Sequence, residues 1–123
     1  MTDSKALVET WIQYQNLPKN LKEGDALFWA WEQLTDMCEK DPESAWNVIQ
    51  EIIITDQSDK ILASVGAGPF EDLMAKHGAQ FISRVELCAR LDKAFRRMLG
   101  TVWKNQMADD VWDRIRKMAP PSW

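Results

Sequence analysis

Apolar residues in this chain recur at spacings of three and four, and hardly anywhere at two. Leu7, Val8, Trp11 and Ile12 open the series, followed by Leu27, Phe28, Trp31, Leu34 and Cys38. Ala45, Trp46, Ile49, Ile52 and Ile53 form a third stripe, and Ile61, Leu62 and Val65 a fourth. Phe81, Ile82, Val85 and Cys88 share a face, as do Leu91, Phe95, Met98, Leu99 and Val102. Val111, Trp112, Ile115 and Met118 close the list. A helix returns to the same side every ~3.6 residues, so each set predicts one buried helix face.

The punctuation agrees with these stripes. Asp3 or Ser4 can cap the first helix, and Pro18 ends it. "NLPKNLKEG" reads as a loop before a helix from about Asp25 to Glu39. Asp41 is the next N-cap, with Pro42 at the first helical position and Glu43 beside the positive helix end. A break falls near Asp92, the last helix starts near Asp109 or Asp110, and Pro120 and Pro121 stop it. The β-branched run Ile52–Ile54 would suit a strand by itself, but the cap and period around it favour a helix. No hairpin turn signal is found. The expectation is an all-α fold: one compact domain over residues 1–123, with six or seven short helices packed as antiparallel pairs. "AWEQLTD" at 30–36 and "AWNVIQE" at 45–51 echo each other loosely, as two adjacent helices of one pair would.

One stretch departs from the plain pattern. "GAGPFEDLMAKHG", residues 66–78, puts Pro69, Glu71, Asp72 and the sole histidine, His77, among three glycines. A dinucleotide fingerprint would need a third glycine and a preceding strand, and a P-loop would need Gly-Lys-Ser/Thr. Neither is present, and Glu71 and Asp72 put negative charge where phosphate would sit. A catalytic reading would make Glu71 or Asp72 the acid or base, with His77 or an arginine as partner. One histidine and no Cys-x-x-Cys pair point away from a metal site. The capping reading uses more of the residues. Gly66 ends one helix in the left-handed region, Pro69 starts the next, Glu71 and Asp72 complement its dipole, and Gly78 stops it. His77 is then a structural, hydrogen-bonded side chain.

Composition narrows the picture mainly by exclusion. The chain has 123 residues, 46% of them apolar and 28% charged, which suits one soluble domain. The N-terminus has no apolar signal-peptide core and no segment is apolar enough to span a membrane, so a cytoplasmic location without membrane contact is expected. Cys38 and Cys88 read as reduced thiols behaving as small core hydrophobes. The net charge of −4 is unevenly spread. Residues 1–75 hold five bases and fourteen acids, and residues 76–123 hold ten bases and five acids. Opposite halves can attract each other inside one globule, or an acidic face can steer a basic partner. The bases are interspersed with acids such as Asp92, Asp109 and Asp113, which weakens a nucleic-acid reading.

Seven tryptophans are many for this length. Trp11, Trp31, Trp46 and Trp112 fall on apolar stripes and are expected in the core. Trp29, Trp103 and Trp123 are left over, and exposed tryptophan is frequent in interface hot spots. Trp29 and Trp103, with the acids Glu32, Asp36, Glu39 and Glu43, are therefore the candidate partner-binding residues.

The glycine stretch, with the later "FRRMLGTVW" and "VWDRI", resembles a bacterial family of unknown function, domain of unknown function family 6869. Members are expected to carry a Gly-x-Gly-Pro-Leu-Glu-x-Leu-Leu core followed by His-Gly, with the likeness covering about residues 25–118. Phe70 and Met74 stand here where leucines are usual. The resemblance implies a small helical bacterial protein and supplies no activity, cofactor or catalytic residue. The functional expectation is a non-enzymatic protein-binding module without metal or cofactor, such as an immunity or inhibitor protein that neutralises a basic toxin in a 1:1 complex. The alternatives are a small enzyme with a carboxylate/His site around residues 71–77, and a nucleic-acid-associated regulator using the basic C-terminal half.

Overall fold

Asp41 and Asp92 show how the sequence divides itself. The Asp41 backbone N–H closes one helix on the Met37 carbonyl at 2.8 Å, while its carboxylate accepts the Ser44 N–H at 3.4 Å and opens the next. Asp92 does the same further on. Its N–H reaches the Cys88 carbonyl at 2.9 Å, and its Oδ1 accepts from Ala94 and Phe95 at 2.9 and 3.3 Å. A short polar side chain thus satisfies orphan donors of one helix while its backbone satisfies the end of the previous one. Ser58 caps a third helix through Ile61 N–H at 3.4 Å.

The computed structural model describes residues 4–22 and 26–121, apart from the side chains of Lys19 and Lys22. These residues form helices α1 (Ser4–Gln15), α2 (Lys19–Lys22), α3 (Phe28–Lys40), α4 (Pro42–Thr55), α5 (Asp59–Ala67), α6 (Pro69–Leu91), α7 (Lys93–Leu99) and α8 (Asp109–Met118). No strand occurs among the described residues. α2 is a single turn, so seven full helices remain, within the expected number. The expected cap Asp3, the helix start at Asp25 and Trp123 lie outside the described residues.

α6 is the hub: α3, α4, α5, α7 and α8 all pack against it. One apolar cluster runs through the fold from Leu7 to Ile115. Its centre is aromatic. Trp46 stacks on Phe81 at 5.4 Å between ring centroids and meets Phe95 edge-on at 6.0 Å, and Phe70 meets Phe95 at 5.9 Å. Such pairs contribute about 0.5–1.5 kcal/mol each beyond the area they bury.

The glycine stretch differs from its expected form. α6 does not stop at Gly78. It bends at His77 (φ −133°, ψ 22°) and runs on to Leu91. Gly78 serves close approach: a Cβ there would lie 2.9 Å from Val111 Cγ1. Gly66 is likewise inside α5, where a Cβ would meet Thr101 Oγ1 at 1.9 Å and the Met98 carbonyl oxygen at 3.0 Å. Both glycines let another segment lie directly on a helix backbone, and Gly68 takes the junction between α5 and α6.

Two stripe residues also leave the core. Trp31 is 41% exposed and Leu91 78% exposed. The buried row of α3 is Ala30, Leu34 and Cys38, which turns Trp31 toward solvent. Trp31 instead stacks on Phe28 at 5.3 Å, and Phe28 meets Tyr14 of α1 at 5.7 Å. The opposite charges of the two sequence halves do meet. Arg84 binds Glu43 at 2.7 Å and Arg97 binds Asp59 at 2.6 Å.

Candidate functional site

Glu71, Asp72 and His77 all start from α6, and Glu71 and His77 bond to different segments. Glu71 is buried, at 8% exposure, and its Oε1 accepts a 2.6 Å hydrogen bond from Asn105 Nδ2. Asn105 lies in the loop before α8 with φ 46°, a left-handed conformation that asparagine tolerates. Asp72, two residues into the first turn after Phe70, is half-buried. Burial and the neighbouring Glu71 raise its carboxyl pKa, and Lys76 opposes them. His77 Nε2 lies 2.9 Å from the Glu39 carbonyl oxygen at the end of α3. The imidazole thus satisfies one of the carbonyls that a helix end leaves open.

Glu71 and His77 are thus held by separate bonds. Glu71 ties α6 to the loop before α8, and His77 ties the bend of α6 to α3. Neither of the two grooves described below is lined by any of the three. Cys38 is also committed: its thiol donates to the Pro69 carbonyl at 3.3 Å. Burial pushes that thiol up to about 12, with the Asp72 charge adding to the effect. A thiol so raised is protonated at neutral pH and a poor nucleophile. No group of three or more His, Cys, Asp or Glu side chains suited to a metal ion occurs among the described residues. Both cysteines are free thiols, Cys38 buried and Cys88 half-buried.

The six candidate partner-binding residues lie in different parts of the fold. Trp29, Glu32, Asp36 and Glu39 are exposed on α3, and Glu43 is exposed on the first turn of α4. Two of the acids are engaged. Asp36 pairs with Lys40 at 3.0 Å, and Glu43 accepts both ends of the Arg84 guanidinium at 2.7 and 2.8 Å. That fork holds the Glu43 carboxyl below the usual carboxylate range. Glu32 and Glu39 keep their carboxylates toward solvent without an ion pair among the described residues. Trp103 stands elsewhere, in the loop after α7, with 75% of its surface exposed.

Trp103 borders a groove of about 870 Å³. Ala63 and Ala67 of α5 form one side, Trp112 and Arg116 of α8 the other, and Leu99 to Trp103 the connecting wall. The spacing is helical on both sides: i, i+4 on α5 and i, i+4 on α8. Because α5 offers only methyl groups, it does not cover the α8 face opposite. A second groove of about 540 Å³ lies between α1, α3 and α4 and is more polar, with Asp41, Asn47 and Glu51 in its walls. Sequence reasoning picked out Trp103 but missed its neighbours. Each helical spacing is visible in the chain, whereas their facing each other depends on how α5 and α8 seat on α7.

The groove, the Glu71–Asn105 bond and the bent α6 all fall within residues 17–121, the span matched by the model of a family of unknown function. The chain belongs to DUF6869. The match is somewhat longer than the likeness seen in the sequence and takes in α2 through α8. DUF6869 brings no assigned activity. No curated protein and no solved structure matches the chain. No helix among the described residues is long and apolar enough to cross a membrane.

Proposed function

We propose that this member of DUF6869 is a non-enzymatic protein-binding module that acts by forming a 1:1 complex, in the manner of an immunity or inhibitor protein that occludes a toxin. One observation carries the reading: the most exposed large aromatic among the described residues, Trp103, borders an open groove, while Glu71 and His77 are hydrogen-bonded to other segments of the chain. Tryptophan and arginine dominate interface hot spots because a large, rigid surface is desolvated at small entropic cost. The pairing of Asp36 and Glu43 with Lys40 and Arg84 weakens the case for an acidic face on α3 as the main contact.

The test is co-expression with the products of adjacent genes, followed by light scattering and calorimetry of any complex. The expected result is one partner bound 1:1, with any toxic or enzymatic activity of that partner suppressed on binding. Turnover of a small substrate by the isolated chain, lost on Glu71→Gln or His77→Ala while the fold persists, would instead establish the enzymatic alternative.

A further inference from the structure

We infer that the groove between α5 and α8 is the docking surface, and that its occupant is an acidic segment of a partner protein carrying apolar anchor residues. The inference rests on the protein-binding reading above and names what that site takes. Three features of the groove select this occupant.

Apolar atoms make up the larger part of its lining, with Ala63, Ala67, Leu99, Val102 and Ile115 among the residues that bound it, beside Gly100 and Thr101. Ala63 and Ala67 are small, so a partner's side chains and even its backbone can come close to α5. Trp103 and Trp112 supply flat aromatic surface on which an aliphatic or aromatic anchor can rest.

The charge in the groove has one sign. Among the described residues, Arg116 is the only charged one in its lining. Among the described residues, no acid stands in the lining to neutralise it and Arg116 makes no ion pair. The other bases nearby are used differently: Arg97 binds Asp59, Lys104 binds Asp109, and Arg96 donates to the Met118 carbonyl at 3.1 Å. An unpaired guanidinium beside an apolar groove favours a carboxylate, which it can grip with two parallel hydrogen bonds. A basic occupant would put like charges together at a desolvated rim.

The occupant is therefore opposite in charge to the one that an acidic α3 face would recruit. The two surfaces make different demands on the same unknown partner, and that difference is what the experiment reads.

The probe is a displayed library of random peptides, panned on the full chain and followed by calorimetry with synthesised winners. Enriched peptides should combine aliphatic or aromatic anchors with Asp or Glu. Their affinity should fall about tenfold or more with Trp103→Ala and with Arg116→Glu, and weaken as salt is raised. Trp103 is largely exposed and Arg116 lies on the surface, so both variants should stay folded, with Arg116→Glu melting slightly lower because it puts a negative charge in the last turn of α8, and the melting curves separate lost binding from lost fold.

Enrichment of basic peptides, binding indifferent to both substitutions, or no enrichment at all would overturn the proposal. So would self-association in sedimentation that Trp103→Ala abolishes, which would give the groove to a second copy of the chain. A protein partner bound 1:1 with an affinity that ignores both substitutions would remove the groove and leave the protein-binding reading standing. Peptides that behave as expected, with a chain that binds no protein and turns over a substrate, would remove that reading alone.

Discussion

Glu71 is the residue on which sequence and structure differ most usefully. The sequence offers it as a helix-dipole partner or a catalytic acid, and the structure uses it as a buried acceptor for Asn105. Removing a buried hydrogen-bonding carboxylate leaves its partner unsatisfied, so Glu71→Ala should destabilise the fold by about 1–3 kcal/mol in urea denaturation. Asn105→Ala loses the same bond and adds a left-handed alanine, at about 1 kcal/mol more. Asn105→Gly relieves the backbone part only, so it should fall between wild type and Asn105→Ala. Asp72 predicts the opposite sign. Its carboxyl is raised in the folded state, so the fold binds the proton more tightly than the unfolded chain does. Ionising Asp72 therefore costs stability as pH rises from the unfolded carboxylate value, ~4, through the raised folded one. Asp72→Asn should stabilise the chain at neutral pH, with the gain vanishing at about pH 3. Denaturation curves for both proteins at the two pH values check this.

At the level of helices, the positions of turns and breaks were legible because each has a local cause. Asp41–Pro42, Asp92 and Pro120 act on their own neighbours, and the helices begin and end beside them. The faces of α4 and α8 were legible for a similar reason, since a stripe records where a helix meets the core. The two Ala-Trp pairs mark where this stops. Ala30 and Ala45 are both fully buried, yet Trp31 is exposed and Trp46 is in the aromatic centre. α4 has α1, α3, α5 and α6 around it and can bury a wide face, whereas the core-facing row on α3 is narrower. The roles of Gly66 and Gly78 were hidden for the same physical reason. A local rule reads glycine as a stop, but here it is space for Thr101 and Val111, which lie far along the chain. Gly78→Ala should therefore cost about 1–3 kcal/mol by overpacking against α8. Val111→Ala should cost stability by itself, but in the Gly78→Ala background it should cost less or even recover some. A double-mutant cycle by thermal or urea denaturation would show coupling between the two sites well beyond additivity.

For the molecule as a whole, acidification should act through exposed ion pairs. Glu43, Glu86 and Asp109 are held below the usual carboxylate range by Arg84, Arg114 and Lys104. Each depressed group contributes stability above its unfolded pKa and loses it as pH falls through its folded pKa. The denaturation midpoint should decline below about pH 4 and do so less steeply in high salt, which screens such pairs. The candidate site was legible only in part at this scale. Composition identified Trp103 as unaccounted for, while the groove beside it needs α5, α7 and α8 in their final places.

The stitching of Glu43 to Arg84 and Asp59 to Arg97 has a consequence for fragments of the chain. Cut after residue 75, the acidic part loses both arginines and most of α6, the helix on which α3, α4 and α5 rest. Like charges without their counterparts repel. Such a fragment should show weak helical circular dichroism until residues 76–123 are added back.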